Sequence, residues 1–260
     1  MGYEFVSVER RDRVLWVTMN RPEVMNALHP PCHEEMQRIW DEFAADPEVW
    51  VAVLTGSGER AFSAGNDLKW TAQNGGKLPP MPSGGFAGLC SRFDLTKPII
   101  GAVNGFALGG GFEIALCCDI LVAADHARFG LPEPKVGLMA AAGGAQRLPR
   151  HIPLKVAMGM MLTGEPIDAR RALELGLVNE VVPFADLHPA ADRWAKRIAE
   201  CSPLSVRATK QAALDSLDRP LRDAVAVTNY PAVIELFRSE DAMEGPLAFA
   251  QKRKPVWKGR

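Results

Sequence analysis

Four short runs constrain this chain most. Arg13–Met19 (RVLWVTM), Val51–Thr55 (VAVLT), Pro98–Val103 (PIIGAV) and Ile120–Ala124 (ILVAA) are rich in β-branched residues and mostly apolar on both faces. A strand apolar on both sides must be covered on both sides, which predicts a sheet flanked by helices rather than one facing water. Between the first two runs, Met36, Ile39, Trp40 and Phe43 recur at helical spacing within Pro31–Ala45. This alternation predicts an α/β fold with mainly parallel strand pairing. Gly75–Phe86 (GGKLPPMPSGGF) reads as a long mobile loop of the kind used for lids and binding.

From about Pro153 onward the strand signal nearly vanishes. Asp168–Leu175, Asp186–Cys201, Ser205–Leu217 and Leu221–Phe237 read as helices, the first capped by Asp168 and ending before Gly176. Pro231 should kink or divide the fourth. Helices that follow an α/β core in this way often pack across a subunit partner.

With 260 residues, 47% of them hydrophobic, the chain can bury a full core. A net charge of −1 argues against a nucleic-acid partner, and no polybasic run argues for a membrane surface. The five cysteines, Cys32, Cys90, Cys117, Cys118 and Cys201, are odd in number and lack metal-ligand spacing, as free thiols in a reducing compartment would be. No presequence and no apolar stretch of membrane-spanning length is evident, so a soluble, cytoplasmic protein is expected. His29 and His33 are four apart, but Pro30 and Pro31 intervene and no third ligand is evident, so no metal is expected. Cys117 and Cys118 read as small core residues.

Three stretches ask for more than packing. In Ala61–Lys69 (AFSAGNDLK), a turn of small residues lets the backbone approach a ligand closely; alternatively it is a tight loop with Asp67 as a helix N-cap. In Asn104–Asp119 (NGFALGGGFEIALCCD), three consecutive glycines stand before an apolar helical run. Free N–H groups at a helix start favour negative charge. The spacing fails as a dinucleotide fingerprint and lacks the Lys-Ser/Thr of a phosphate loop. Glu113 beside it would repel a standing phosphate, so an anion forming transiently on a carbonyl oxygen fits better. In Phe129–Leu148 (FGLPEPKVGLMAAAGGAQRL), Glu133 lies between two prolines, which predicts an extended, rigid turn or simply a surface glutamate. Arg147 either pairs with a buried carboxylate, Glu113 or Asp119, or contacts something else.

Taken together, AFSAGNDLK, NGFALGGGFEIAL and GLPEPKVGL in that order resemble the crotonase (enoyl-CoA hydratase/isomerase) superfamily, over essentially the whole chain. The strings SGGFAGL at Ser83–Leu89 and SEDAMEGPLAFAQKRKPVWKGR at Ser239–Arg260 look nearest to its carnitinyl-CoA dehydratase-like branch. The resemblance implies a spiral of ββα units in residues 1–200, holding the coenzyme A site, and a helical trimerisation region in residues 201–260. It implies an oxyanion hole made by the N–H groups of Asn66 and Gly110. Arg21, Ala27, Ala64, Asp67, Leu68 and Lys69 would lie along the coenzyme A moiety, and Phe249 and Lys252 would reach a neighbouring subunit's. The partners implied are an acyl-CoA thioester and further copies of the chain, as a homotrimer or a dimer of trimers. Coenzyme A is part of the substrate, and no separate cofactor is implied.

The two glutamates set the subclass. Family members that hydrate 2-enoyl thioesters carry carboxylates where this chain has Glu113 and Glu133. Water must lose a proton as it attacks Cβ, and Cα must gain one. Glu133 is expected to carry the proton at Cα and Glu113 to orient the water. Isomerases manage with one carboxylate, so double-bond isomerisation is the nearer alternative and a non-catalytic binding protein the more distant one. An RNA-binding relative would need a lysine-rich helix, whereas His33–Glu48 is acidic. Two positions depart from many hydratases: Met139–Ala142 replaces a Pro-Gly-Ala stretch, and Asn66 stands where alanine is common.

Overall fold

The computed structural model describes residues 2–76 and 80–260. Its strands are β1 (Val6–Arg11), β2 (Val14–Met19), β3 (Val51–Gly56), β4 (Ala61–Ser63), β5 (Ile99–Val103), β6 (Phe106–Leu108), β7 (Ile120–Ala124), β8 (Arg128–Gly130), β9 (Ile167–Asp168) and β10 (Glu180–Val182). They form a six-stranded sheet, β1-β2-β3-β5-β7-β10, and a four-stranded sheet, β4-β6-β8-β9. From β2 to β10 the larger sheet is parallel, as its two-sided apolar strands require. β1 pairs antiparallel with β2 at the edge and is exposed beyond Val6.

The helices are α1 (Pro30–Ala45), α2 (Leu68–Gln73), α3 (Gly110–Ala115), α4 (Gly144–His151), α5 (Leu154–Thr163), α6 (Ala169–Glu174), α7 (Leu187–Ala199), α8 (Pro203–Ser216), α9 (Leu221–Ala224), α10 (Pro231–Phe237) and α11 (Glu240–Ala250). Consecutive strands divide between the sheets (β3 and β4, β5 and β6, β7 and β8), with one or two helices after each pair. That is a spiral of ββα units. One apolar core lies between the sheets and includes α1, whose Met36, Ile39, Trp40 and Phe43 are fully buried as their spacing predicted. A second core lies on the other side of the large sheet, where Leu187, Ala190, Ala191 and Ala195 of α7 cover Trp16, Val51, Val53 and Ile100. Burying each large aliphatic side chain contributes about 1.5–3 kcal/mol.

Local chemistry sets the helix ends. α1 starts with Pro30 and Pro31 in its first turn, where a missing N–H costs nothing. Asp168 caps α6 through the Arg171 N–H, and Ser202 caps α8, three residues before the expected start at Ser205. Pro231 divides the expected Leu221–Phe237 helix, opening α10 after a break at residues 225–230. Glu133 departs from the expected extended turn: it begins a 3₁₀ turn, Glu133–Val136. Gly137 closes that turn in left-handed backbone, and its N–H bonds back to Glu133 and Pro134, overriding the extended bias before proline. The expected loop at Gly75–Phe86 lies partly outside the described residues.

Candidate active site

Three short parallel strands, β4, β6 and β8, stand side by side. Each runs at its carboxyl end into one of the three stretches that sequence singled out: β4 into Ala64–Lys69, β6 into Gly109–Gly111, and β8 into Glu133. Carboxyl ends of parallel strands are where α/β sheets hold ligands.

Gly65 brings the first two stretches together. Its φ is +85°, and a Cβ there would lie 2.6 Å from the Gly110 nitrogen. Only glycine permits both the conformation and the approach. Leu28 bridges the same turn: its N–H donates to the Gly65 carbonyl, and its carbonyl accepts from the Asp67 N–H, each at 2.8 Å. The Asn66 N–H therefore faces away from Leu28. Among the described residues neither it nor the Gly110 N–H donates to a protein acceptor. The Asn66 side chain turns to α2, where Nδ2 donates to Thr71 Oγ1 at 3.1 Å. Asp67 caps α2 through the Trp70 N–H.

The two glutamates flank this crevice. Glu113 is in the first turn of α3, three residues beyond Gly110, and only 3% exposed. Its Oε1 accepts the Gly144 N–H at 2.8 Å. Burial, aided by the Glu133 charge, pushes its pKa up to about 7 against the N–H groups of Gly144 and Ala142 and the charge of Arg147. Glu133 approaches from β8, with Oε1 3.4 Å from where a Cβ on Gly109 would sit. Burial raises its pKa as well, and its Oε2 is buried without a partner among the described residues.

Arg147 makes no ion pair with either expected carboxylate. Its guanidinium donates to the Cys90 and Ala142 carbonyls, and Asp119 pairs with Lys210 at 2.8 Å. Cys118 is buried as expected, whereas Cys117 is half-buried, its Sγ donating to the Glu113 carbonyl. Two neighbours of the site were missed. Gly144 is not singled out by sequence reasoning, although a paired glycine opening a helix signals an available N–H. Phe86 had served only as part of a string marking kinship, yet its ring lies against Gly110.

The enoyl-CoA hydratase/isomerase family model matches residues 9–260. The chain belongs to this family. It is similar to the carnitinyl-CoA dehydratase of Escherichia coli K12, 42% identical over 263 residues that cover 99% of each chain. Among solved structures it resembles an enoyl-CoA hydratase from Mycobacterium tuberculosis H37Rv, at 40% identity and TM-score 0.92, covering 98% of this chain and 99% of that one. It also resembles an enoyl-CoA hydratase from Bacillus anthracis, at 34% identity and TM-score 0.89, covering 99% and 100%.

The positions expected from sequence to lie along coenzyme A fall into two groups. Arg21 Nη1 donates to the Ala27 carbonyl at 2.6 Å and to Asp67 at 3.0 Å, tying these residues to the start of α2. Ala64 bonds through its N–H to the Met25 carbonyl, while Leu68 and Lys69 are exposed on the first turn of α2. These six therefore adjoin the crevice. Phe249 and Lys252 stand apart at the end of α11; Phe249 is 87% exposed, and no hydrogen bond or ion pair among the described residues links either to the crevice.

Proposed function

We propose that the protein is an enoyl-CoA hydratase, adding water reversibly across the 2,3 double bond of an acyl-CoA thioester. The observation that carries this reading is the crevice itself: two unpaired N–H groups on adjoining segments, with two carboxyl groups of raised pKa beside them. The Asn66 and Gly110 N–H groups would hold the thioester oxygen, each worth about 3–4 kcal/mol as negative charge builds there. Water attacks Cβ and gives up a proton, one carboxylate accepting it with Glu113 orienting the water. The enolate so formed then takes a proton at Cα from Glu133. The thioester carries its own coenzyme A, so this sequence of steps calls on no further group.

Further parts of the proposal follow from family membership. Arg21, Ala27, Ala64, Asp67, Leu68 and Lys69 bind the coenzyme A moiety, while residues 201–260 assemble trimers or dimers of trimers and present Phe249 and Lys252 to a neighbour's nucleotide. No helix of the described residues is long and apolar enough to cross a membrane. Together with five free thiols this favours a cytoplasmic enzyme. The similarity to carnitinyl-CoA dehydratases makes a carnitinyl group one candidate for the acyl part.

Purified protein is expected to hydrate crotonyl-CoA, seen as loss of enoyl-thioester absorbance, and Glu133→Gln to slow it by roughly 10²-fold or more. A wild-type protein that only migrates double bonds, or an unchanged Glu133→Gln rate, overturns the reading. A panel of short, long, aromatic and carnitinyl thioesters then ranks the acyl groups.

A further inference from the structure

Phe86 lies so close to Gly110 that a Cβ on that glycine would fall 2.5 Å from two carbons of its ring. The ring thus packs against the residue that carries one of the two candidate oxyanion donors. What seats it comes from another element. Phe86 opens a 3₁₀ turn, Phe86–Gly88, whose middle residue, Ala87, has φ 54° and ψ 23°. Left-handed backbone is unfavourable for a residue with a Cβ, so something must hold it. Both polar groups of Ala87 are fastened to α1. Its N–H donates to His33 Nδ1 at 3.1 Å, and its carbonyl accepts from Trp40 Nε1 at 3.1 Å. The His33 ring meets the Phe86 ring edge-on, with centroids 4.5 Å apart.

His33 is 1% exposed. Because Nδ1 accepts a backbone N–H, the ring proton sits on Nε2, which is buried with no partner among the described residues. Burial lowers the His33 pKa to about 4, so Nδ1 remains an acceptor at neutral pH. An unpaired buried donor is a cost that a plain apolar residue would avoid. The bond made by the other nitrogen accounts for it.

We propose that His33 is a positioning residue for the oxyanion hole: through Nδ1 it holds Ala87 in left-handed backbone and so seats Phe86 against Gly110. This rests on the hydratase reading for what the hole stabilises. With Phe86 displaced, water would reach the Gly110 N–H and weaken its hold on the enolate.

The imidazole's two nitrogens can be tested separately. Asparagine places an acceptor where Nδ1 stands, glutamine places its amide near Nε2, and phenylalanine keeps only the ring. Two readouts are taken: kcat and KM for crotonyl-CoA, and the near-ultraviolet absorbance of the enolate of bound acetoacetyl-CoA, which reports on the hole without any hydration. His33→Phe and His33→Gln are expected to lower kcat at least about tenfold with KM within about threefold, and to lose enolate absorbance, whereas His33→Asn stays within about threefold of wild type in both. In a Phe86→Ala background, His33→Phe should cost nothing further, since both act through one contact. The proposal is overturned if His33→Phe matches wild type, if Gln rescues where Asn does not, or if the two losses multiply. Should His33→Phe fail to fold, Asn against Gln decides. A wild-type protein that traps the enolate yet hydrates nothing overturns the hydratase reading alone, and the variants are still compared by absorbance. One that neither traps the enolate nor hydrates crotonyl-CoA overturns both, and one that hydrates without trapping it leaves the variants compared by kcat.

Discussion

Glu113 and Gly144 are joined by a 2.8 Å hydrogen bond from the Gly144 N–H to Oε1, and a Cβ on Gly144 would lie 3.0 Å from that same oxygen. The glycine therefore brings a backbone donor against a carboxyl group that is buried. A carboxylate with two or three such donors would ionise well below neutrality. Here burial outweighs the N–H groups of Gly144 and Ala142, and Glu113 is raised to about 7, where it can exchange a proton during turnover.

The pH profile of hydration should follow from this. The reaction needs one carboxyl group protonated and the other ionised. Both groups are raised, so at low pH neither is ionised, and above about pH 7 the pair loses its shared proton. A bell-shaped kcat/KM is expected, its alkaline limb falling from near pH 7. Measuring crotonyl-CoA hydration between pH 5 and 9 checks it, and a rate still rising through pH 9 would reject the shared-proton assignment.

Stability should move in the opposite sense to activity in Glu113→Gln. A carboxyl group whose folded pKa lies above its unfolded value binds more protons folded than unfolded between the two, so stability falls as pH rises from 4.5 to about 7. Above that window, keeping Glu113 ionised costs at most ~3 kcal/mol. Glutamine still accepts the Gly144 N–H and carries no charge. Its Tm should exceed that of wild type at pH 8, by roughly 2–4 °C per kcal/mol, and the two should converge below pH 4.5. Parallel curves at all pH values would show that the charge carries no penalty.

Gly65 offers a test of the hole that leaves both carboxyl groups in place. Alanine there strains a φ of +85° and drives a methyl group to 2.6 Å from the Gly110 nitrogen. Displacing one oxyanion donor should lower kcat by roughly 10²–10³-fold. A folded Gly65→Ala protein within about threefold of wild type would mean that this approach does not set the hole.

The four inner strands of the large sheet were legible because two-sided apolar strands leave few alternatives, whereas β1 and β10 at its edges were not read; among the helices, Asp168 announced the start of α6, but the Ser202 cap of α8 was not read. Nor was the small sheet. β4, β6 and β8 have three residues each, too few for a period to show, and they are held by pairing with distant segments. Yet they deliver Asn66, Gly110 and Glu133 to one place. Glycine runs and a proline-flanked glutamate marked the residues without their arrangement. Ala87 was invisible for a different reason: nothing about alanine announces left-handed backbone, which here is imposed by His33 and Trp40.

The C-terminal region carries the last prediction. Leu217, Leu221, Phe237 and Met243 are each at least 69% exposed, and Phe249 87%. So many large apolar side chains on neighbouring helices are unusual for a surface that stays in water. Light scattering should give three or six times the 28.3 kDa chain mass, and Phe237→Asp with Leu221→Asp should shift it toward the monomer. If Phe249 and Lys252 reach a neighbour's nucleotide, Phe249→Ala with Lys252→Ala should raise KM for crotonyl-CoA about tenfold with kcat little changed. Crotonyl-pantetheine lacks the nucleotide and should not distinguish this variant from wild type. Equal effects on both thioesters would place the two residues elsewhere than at the nucleotide, and a monomeric mass for the wild type would remove the neighbour altogether.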